Sequence, residues 1–159
     1  MTTVLVLCIL LCAASAAASG FTDLEEKGAP AARHICPRDW FSFGSHCFKV
    51  VKNPVSWIRA EEHCNSLGAH LASVSNHQEY AFLQQITRMA GLSSAWLGGF
   101  NLQGRWMWID REGFYYSYWH CLFSPHSNPC IYLATNSGWI NTPCGLSLPF
   151  ICSRNPFGC

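Results

Sequence analysis

The chain has 159 residues, of which 50% are hydrophobic and only 12% are charged, and its formal net charge is +1. This length and composition fit one globular domain with a substantial core. Lys and Arg form no basic stripe, so we expect no nucleic-acid partner. The sequence also lacks the Gly-x-Ser-x-Gly and His-Glu-x-x-His motifs of hydrolases and zinc proteases. We therefore expect that the chain is not an enzyme.

The N-terminal segment is an apolar run over residues 4–18 that ends in small side chains. The run is shorter than the roughly 20 residues that a membrane-spanning helix needs. Residues 14–16 and 16–18 both have the small-x-small pattern of a signal-peptidase site. We therefore expect residues 1–18 to be a cleaved signal peptide and not a membrane anchor. The mature protein is then secreted and extracellular, with no membrane span.

Residues 19–35 combine three acidic side chains with a run of Gly, Ala and Pro. This composition indicates a flexible spacer or a short pro-segment, and an ordinary disordered tail explains it equally well. We expect the folded domain over residues 36–159.

The sequence contains ten cysteines, and two of them, Cys8 and Cys12, lie in the predicted signal peptide. The remaining eight include no Cys-x-x-Cys pair, which argues against a zinc ribbon or a thioredoxin motif. In an oxidising extracellular compartment, disulfides are the default state of such cysteines. The eight are Cys36, Cys47, Cys64, Cys121, Cys130, Cys144, Cys152 and Cys159.

The domain opens with a predicted hairpin over residues 43–51, closed by a Cys36–Cys47 bridge. A helix is predicted next, with Ser56 as its N-cap and Gly68 as its C-cap. Its apolar face consists of Trp57, Ala60, Cys64 and Leu67. Residues 71–74 are expected to form a short extended link.

A second helix is predicted from a capping-box pattern, Ser75-x-x-Gln78, and it ends at Gly91. Its apolar face consists of Phe82, Leu83, Ile86 and Met89. After this helix, short aromatic-rich runs alternate with Gly, Pro and Asn, which is typical of strands and turns. Strands are predicted over 95–100, 105–109, 130–134, 138–141 and 148–153. Helices followed by strands indicate an α+β domain.

The segment Trp96-Leu97-Gly98-Gly99 resembles the Trp-Ile-Gly-Leu core motif of the C-type lectin-like domain. Other motifs of that family follow in the expected order over about residues 36–153. They are Trp57-x-x-Ala60-Glu61-x-x-Cys64, Gly68-Ala69-x-Leu71-Ala72-Ser73-Val74, Trp106-x-Trp108, Phe114-x-Tyr116-x-x-Trp119, Trp139-x-Asn141-x-x-Cys144 and Pro149-Phe150-Ile151-Cys152. The chain thus resembles the long form of the family, and is similar to small secreted fish lectins and type II antifreeze proteins.

The resemblance implies an α+β fold with two helices, short antiparallel strands and a long loop, held by disulfides. The implied bridges are Cys36–Cys47, Cys64–Cys152 and Cys130–Cys144. Cys121 and Cys159 are then left over. We favour bonding between chains by one or both of these cysteines, which implies a disulfide-linked homo-oligomer. A Cys121–Cys159 bridge within one chain is the competing interpretation.

In this family, the long loop holds Ca²⁺ with oxygens from a Glu-Pro-Asn or Gln-Pro-Asp tripeptide, from a Glu two residues before the third core cysteine, and from a Trp-Asn-Asp run. The corresponding positions here hold Ser124-Pro125-His126, Asn128 and Trp139-Ile140-Asn141. No Asp or Glu follows Glu112 in the sequence. We therefore expect no Ca²⁺ at the usual site, and no other cofactor or metal. The resemblance also implies a cis peptide bond before Pro125.

Aromatic and polar side chains crowd the loop, and such groups are suited to recognising sugars or proteins. We expect Phe114, Trp119 and Trp139 to belong to the core. The candidate ligand-binding residues are Tyr118, His120, Phe123, Ser124, His126, Asn128 and Asn141. A zinc site from His120, Cys121 and His126 is the weaker alternative, because Cys121 is expected to be oxidised.

The function expected from the resemblance is binding of a carbohydrate or a protein surface. The leading hypothesis is a secreted lectin or lectin-like defence protein that recognises glycans or microbial surfaces without the usual calcium site. The first alternative is an ice-binding protein of the type II antifreeze kind. The second is a protein-targeted inhibitor or venom-type module.

Overall fold

The computed structural model describes residues 36–157, so the predicted signal peptide, the predicted spacer and Cys159 lie outside the described residues. Within residues 36–157 the chain forms two helices and nine strands, which confirms the predicted α+β class. No helix in this part of the chain is long and apolar enough to cross a membrane. In chain order the elements are β1 (Phe41–Phe43), β2 (His46–Val55), α1 (Trp57–Ser66), β3 (His70–Leu71), α2 (His77–Met89), β4 (Ser94–Leu102), β5 (Arg105–Trp108), β6 (Trp119–Cys121), β7 (Cys130–Ala134), β8 (Trp139–Thr142) and β9 (Leu148–Arg154).

Helix α1 packs on the sheet because Trp57, Ala60 and Cys64 recur at helical spacing, and all three are buried. Ser56 takes the predicted N-cap position, although its side chain makes no capping hydrogen bond. Gly68 has a φ of 66° and lies one residue beyond the C-cap. The left-handed turn that ends the helix therefore falls on the residue type that adopts it without strain.

Helix α2 begins one residue later than the predicted capping box. The N-cap is Asn76, whose side-chain oxygen accepts from the Glu79 N–H at 2.9 Å. The Glu79 carboxylate in turn accepts from the Ser75 N–H at 2.7 Å. Ser75 and Asn76 are both good capping residues, and the pairing with Glu79, not with Gln78, sets the start of the helix. Gly91, with a φ of 78°, follows the last turn as predicted.

The buried face of α2 is centred on Tyr80 and Leu83, both 0% exposed, together with Ile86. The prediction was wrong for Met89, which is 68% exposed. A stripe that runs through Tyr80 and Leu83 leaves Met89 on the solvent side of the last turn, since successive helical residues are rotated by about 100°.

The strands form one sheet with the order β1-β2-β9-β4-β7-β8-β6, to which β3 is attached through β9 and β5 through β4. The five predicted strands are confirmed as β4, β5, β7, β8 and β9, with ends that shift by one or two residues. Gly44 turns the chain between β1 and β2, which forms the predicted hairpin. Strand β6 was not predicted; it pairs in parallel with β8 at the sheet edge.

Three disulfides connect the described residues, and all three implied pairings are confirmed. Cys36–Cys47 closes the N-terminal hairpin, and Cys64–Cys152 joins α1 to β9. Cys130–Cys144 links the start of β7 to the turn that follows β8. These bonds fix the base of the long loop and tie both ends of the described domain to the sheet.

The Trp-Leu-Gly-Gly motif lies at the centre of the core. Trp96 is fully buried, and its indole N–H donates to the Val55 carbonyl at 2.9 Å. A Cβ on Gly98 would stand 2.5 Å from the Leu71 carbonyl oxygen, and one on Gly99 would collide with the Ile131 side chain. Both glycines are thus required for close packing of β4 against its neighbours.

Candidate binding site

The long loop lies between β5 and β7 and rests on an aromatic cluster. Trp139 of β8 is fully buried, and edge-on contacts surround it at ring-centroid distances of 5.3 Å to Trp108, 5.9 Å to Phe114, 5.7 Å to Tyr116 and 5.7 Å to Trp119. Phe114 and Trp119 are partly buried against the core, so the predicted core role of these residues is confirmed. Aromatic packing therefore holds the loop in one shape.

Asn141 fastens the second half of the loop to the sheet. Its side-chain nitrogen donates to the Phe123 carbonyl at 2.9 Å and to the Asn128 carbonyl at 2.8 Å, and its side-chain oxygen accepts from the Phe123 N–H at 2.7 Å. The residue is only 1% exposed. Asn141 was predicted to contact a ligand. It is instead buried, and its amide hydrogen-bonds the loop backbone, so it stabilises the shape of the loop.

A tight turn over residues 124–128 forms the tip of the loop. The Ser124 carbonyl accepts from the backbone N–H of Asn128 at 3.1 Å and from its side-chain amide at 3.2 Å. The peptide bond before Pro125 is trans, which corrects the expected cis isomer. The hydrogen bonds from Asn128 close the turn with every peptide bond in its ordinary trans state.

A depression of about 450 Å³ separates this tip from the β4–β5 turn. The two walls are joined by the Asn101 N–H, which donates to the Pro129 carbonyl at 2.7 Å. The side-chain oxygen of Asn101 accepts from the Gly104 N–H at 3.1 Å, while its side-chain nitrogen is buried without a partner among the described residues. The depression is lined by Asn101, Gln103, Gly104, Ser124, Pro125, His126 and Pro129.

The depression brings together Ser124 and His126 from the set of predicted site residues. Phe123, at 54% exposure, directly precedes them, and His120 is exposed on β6. Tyr118 is 45% exposed, and its ring lies 5.3 Å from that of Tyr80, on helix α2. Tyr118 and His120 do not line the depression.

Sequence reasoning missed the wall that the β4–β5 turn provides. Gln103 and Gly104 have φ values of 52° and 82°, and Leu102 pairs with Arg105 across them. Two central residues with positive φ are typical of a two-residue hairpin turn. The strands predicted over 95–100 and 105–109 left residues 101–104 for this turn, but nothing in those residues indicated which loop the turn would face.

The depression contains no acidic side chain, and no Asp or Glu occurs from residue 113 to residue 157. Among residues 36–157 no three His, Cys, Asp or Glu side chains lie close enough to hold a metal ion. His120, Cys121 and His126 are therefore not brought together as a zinc site. The donors at the family's calcium positions are a hydroxyl, an imidazole and two amides, and one of those amides belongs to Asn141, which the loop backbone occupies.

Two tyrosines beside the loop remain protonated in the neutral pH range. Burial raises the pKa of Tyr80 well above its ordinary value, although a hydrogen bond from Gln84 opposes the shift. Burial also raises the pKa of Tyr116, and the nearby Tyr118 phenol adds to the effect. Both hydroxyls thus remain neutral groups, and Tyr116 lies 3.2 Å from the His77 ring nitrogen.

Cys121 lies at the end of β6, on the edge of the sheet, and is partly buried. It forms no disulfide with any residue from 36 to 157. Its neighbour Tyr132 has a pKa raised by burial and, to a lesser degree, by Cys121 itself. The pairing predicted for Cys121 and Cys159 stays a prediction, because Cys159 lies outside the described residues.

Comparison with known proteins matches residues 53–154 to the Lectin C-type domain family. The chain belongs to this family. The match covers both helices, strands β3 to β9 and the whole long loop. The Cys64–Cys152 and Cys130–Cys144 bridges and the Trp-Leu-Gly-Gly motif lie within it.

Among the relatives of this lectin domain is ladderlectin of Oncorhynchus mykiss, which is 42% identical over 74% of the chain and 66% of its own length. The type-2 ice-structuring protein of Osmerus mordax is 32% identical over 75% of the chain and 71% of its own length. A herring type II antifreeze protein structure has a TM-score of 0.69 at 32% identity, covering 76% of this chain and 98% of that one. The lectin domain is thus related to fish lectins and to type II antifreeze proteins.

Proposed function

We propose that this chain is a secreted C-type lectin-like binding protein that recognises the hydroxyl groups of a glycan through the loop depression, without Ca²⁺ at the family's usual site. The observation that carries the proposal is the lining of the depression, which offers amide, hydroxyl and imidazole groups and no carboxylate. Its volume of about 450 Å³ lies within the range of small-molecule sites, which runs to ~1,000 Å³.

The chemistry of the depression argues for a neutral, hydroxyl-rich ligand. Gln103 and Ser124 offer both donors and acceptors, which matches the dual character of a sugar hydroxyl. The side-chain nitrogen of Asn101 is buried, so the exposed Gln103 amide is the donor on that wall that a ligand oxygen can reach. Exposed Phe123 beside the tip supplies an apolar surface for the C–H face of a sugar ring.

The same lining argues against Ca²⁺. This ion takes about 6–8 hard oxygen ligands, and carboxylates normally offset its charge. At the family's positions Ile140 offers no side-chain oxygen and His126 offers nitrogen. The oxygen of Asn141 already accepts a backbone N–H at 2.7 Å. Coordination would therefore break the loop's own hydrogen bonds without gaining any negative charge.

A glycan array probed with the secreted protein, once with Ca²⁺ and once with EDTA, tests the proposal. We expect the same glycans to bind in both conditions. Gln103→Ala should weaken binding to these glycans, and its matched control Gln85→Ala, at an exposed position of α2, should leave binding unchanged. Binding that disappears in EDTA would contradict the calcium-independent mode, and equal binding by both variants would contradict the site.

Ice binding is a second candidate, favoured by the similarity to the herring antifreeze protein and to the ice-structuring protein of Osmerus mordax. Thermal hysteresis measured on the purified domain distinguishes the two functions. Thermal hysteresis in the parent protein that Gln103→Ala abolishes would support ice binding over glycan binding.

Secretion and assembly complete the proposal. N-terminal sequencing of the secreted protein should begin at residue 19 if residues 19–35 remain as a spacer, and near the end of that segment if they are removed as a pro-segment. We propose that one or both of Cys121 and Cys159 link copies of the chain. Electrophoresis without reductant should show a covalent oligomer that collapses to a monomer on reduction, and a monomer in both lanes would leave only the intrachain bridge.

A further inference from the structure

A second depression, of about 500 Å³, lies on the described domain and shares no residue with the loop depression. The segments that form it are β2, β3 and the link before it, the chain after β5, and the end of β9. It is lined by His46, Gly68, Ala69, His70, Asp110, Glu112, Ser153, Arg154 and Asn155. Three strands of the sheet, β2, β3 and β9, thus contribute to it, and its lining is rich in ionisable groups of both signs.

Arg154 supplies the fixed positive charge. Its guanidinium lies 5.4 Å from the centroid of the Trp40 ring, which holds the side chain in place. The Nε atom is buried and has no hydrogen-bond partner in the described part of the chain. The three ion pairs found over residues 36–157 involve other residues, so no carboxylate there neutralises Arg154.

Asp110 and Glu112 supply the negative charges. Arg111 between them has a φ of 69°, and this left-handed turn places both neighbours in the lining while Arg111 itself is not part of it. One Asp110 oxygen accepts from the Glu112 N–H at 3.0 Å. Neither carboxylate takes part in the ion pairs of residues 36–157.

His70 is the best-positioned polar group of this second depression. Its Nδ1 lies 2.6 Å from the buried carboxylate of Glu61, which also accepts from the Leu71 N–H at 2.7 Å. This contact leaves the other ring nitrogen of His70 for a ligand. His46 is held more loosely, with its Nδ1 3.9 Å from Glu79.

We propose that this second depression binds a compact zwitterion, that is, an anionic oxygen group joined by a short linker to an ammonium group. Arg154 would take the anionic end, since a guanidinium is suited to carboxylate and phosphate oxygens. Asp110 and Glu112 would take the ammonium end. Arg154 forms no ion pair with Asp110 or Glu112, so charges of both signs are available to a ligand in the depression. A singly charged molecule would pair with only one sign of charge. This site is independent of the glycan site proposed above.

Calorimetric titration of the whole secreted protein with phosphocholine and with glycine tests the site, because the two probes represent a lipid headgroup and a free amino acid. Inorganic phosphate and choline are titrated as the two halves of phosphocholine, and acetate and methylammonium as the two halves of glycine. We expect at least one zwitterion to bind tenfold or more tightly than either half. If neither zwitterion shows saturable binding, or if a half binds as tightly as the whole, the proposal is overturned.

Matched variants locate the binding. Arg154→Gln and Glu112→Gln should each weaken binding of the zwitterion at least tenfold. Their controls are Arg111→Gln, next to the lining, and Glu62→Gln, an exposed residue of α1, and both should bind as the parent does. Arg154→Lys keeps the charge and serves if Arg154→Gln fails to fold, and it should bind less tightly because the forked donor is lost. Equal affinities across these variants would contradict the site.

Discussion

At position 141 an amide and a carboxylate have opposite consequences for the long loop. The Asn141 side-chain nitrogen faces two carbonyl oxygens, at 2.9 and 2.8 Å, and a carboxylate has no N–H to offer them. The residue that corresponds to a metal ligand in the family's calcium site is therefore a hydrogen-bond donor here. This role explains why the loop keeps its shape although carboxylates are missing from it.

The first prediction concerns Asn141→Asp, which preserves the size of the side chain and removes both donors. Two partly buried carbonyls would lose their partners and face a negative charge, so the free energy of unfolding should fall by about 1–3 kcal/mol at neutral pH. The carbonyls favour the protonated carboxyl and thus raise its pKa in the folded state. The loss should therefore shrink as the pH falls, because protonation restores one donor.

Urea unfolding at neutral and acidic pH, with the parent measured at each pH, checks this prediction. Asn53→Asp is the control, since Asn53 is exposed on β2 and makes no side-chain hydrogen bond. Its effect should stay within about 0.5 kcal/mol. A loss for Asn141→Asp no larger than that of the control would mean that Asn141 does not hold the loop.

At the scale of single elements, the start of α2 depends on which of two adjacent polar residues is the cap. Asn76→Ala removes the acceptor for the Glu79 N–H and should destabilise the domain by about 1 kcal/mol. Ser75→Ala is the matched control, because Ser75 contributes its backbone N–H and keeps it after the substitution. Thermal unfolding of both variants decides the assignment, and a larger loss for Ser75→Ala would return the cap to Ser75.

The disulfides differ in the length of chain that they close. Cys64–Cys152 spans 88 residues, and Cys36–Cys47 spans 11. In the chain-entropy description, the first contributes about 4–5 kcal/mol and the second about 3 kcal/mol. The paired variant Cys64→Ser with Cys152→Ser should therefore unfold at a lower denaturant concentration than Cys36→Ser with Cys47→Ser. The reverse order would show that strain or residual structure outweighs loop closure.

Elements set by local spacing could be predicted from the sequence, and elements set by distant partners could not. Helix α1 follows from apolar residues at i, i+3 and i+7, starting at Trp57, and β4 follows from a buried run that contains two glycines. Strand β6 has only three residues and exists because Trp119 pairs with Trp139 on β8. The loop side of the depression was predicted through Ser124 and His126, whereas Asn101 and Gln103 reach it from a turn about 20 residues earlier, which no local pattern could indicate.

Over the whole domain, ionisable groups are distributed unevenly between the two depressions. The loop depression has one ionisable group, His126, among its lining residues, whereas the second depression has two histidines, two carboxylates and an arginine. One fold therefore presents an uncharged surface suited to hydroxyl groups and a charged surface suited to a zwitterion. Ligands of the two surfaces should not compete, because the two sets of lining residues do not overlap.

The thermal stability of the domain should not respond to Ca²⁺. An ion that bound the folded state with a Kd of roughly 0.1 mM would add about 2.7 kcal/mol at roughly 10 mM. For a domain of this size, that energy corresponds to a rise in Tm of several degrees, since 1 kcal/mol shifts Tm by about 2–8 °C. With no carboxylate between residues 113 and 157, we expect Tm in Ca²⁺ to equal Tm in EDTA.

Differential scanning calorimetry checks this expectation, with Mg²⁺ at the same concentration as the control for ionic strength. Surface charges respond to any divalent salt through screening, so a shift common to both ions reports no site. A rise in Tm that Ca²⁺ produces and Mg²⁺ does not would demonstrate a specific site. To bind the ion at the loop, Asn141 would have to release the Phe123 N–H, so the loop would have to rearrange. Ca²⁺ would then be part of the binding site, which would contradict the calcium-independent glycan binding proposed for the depression.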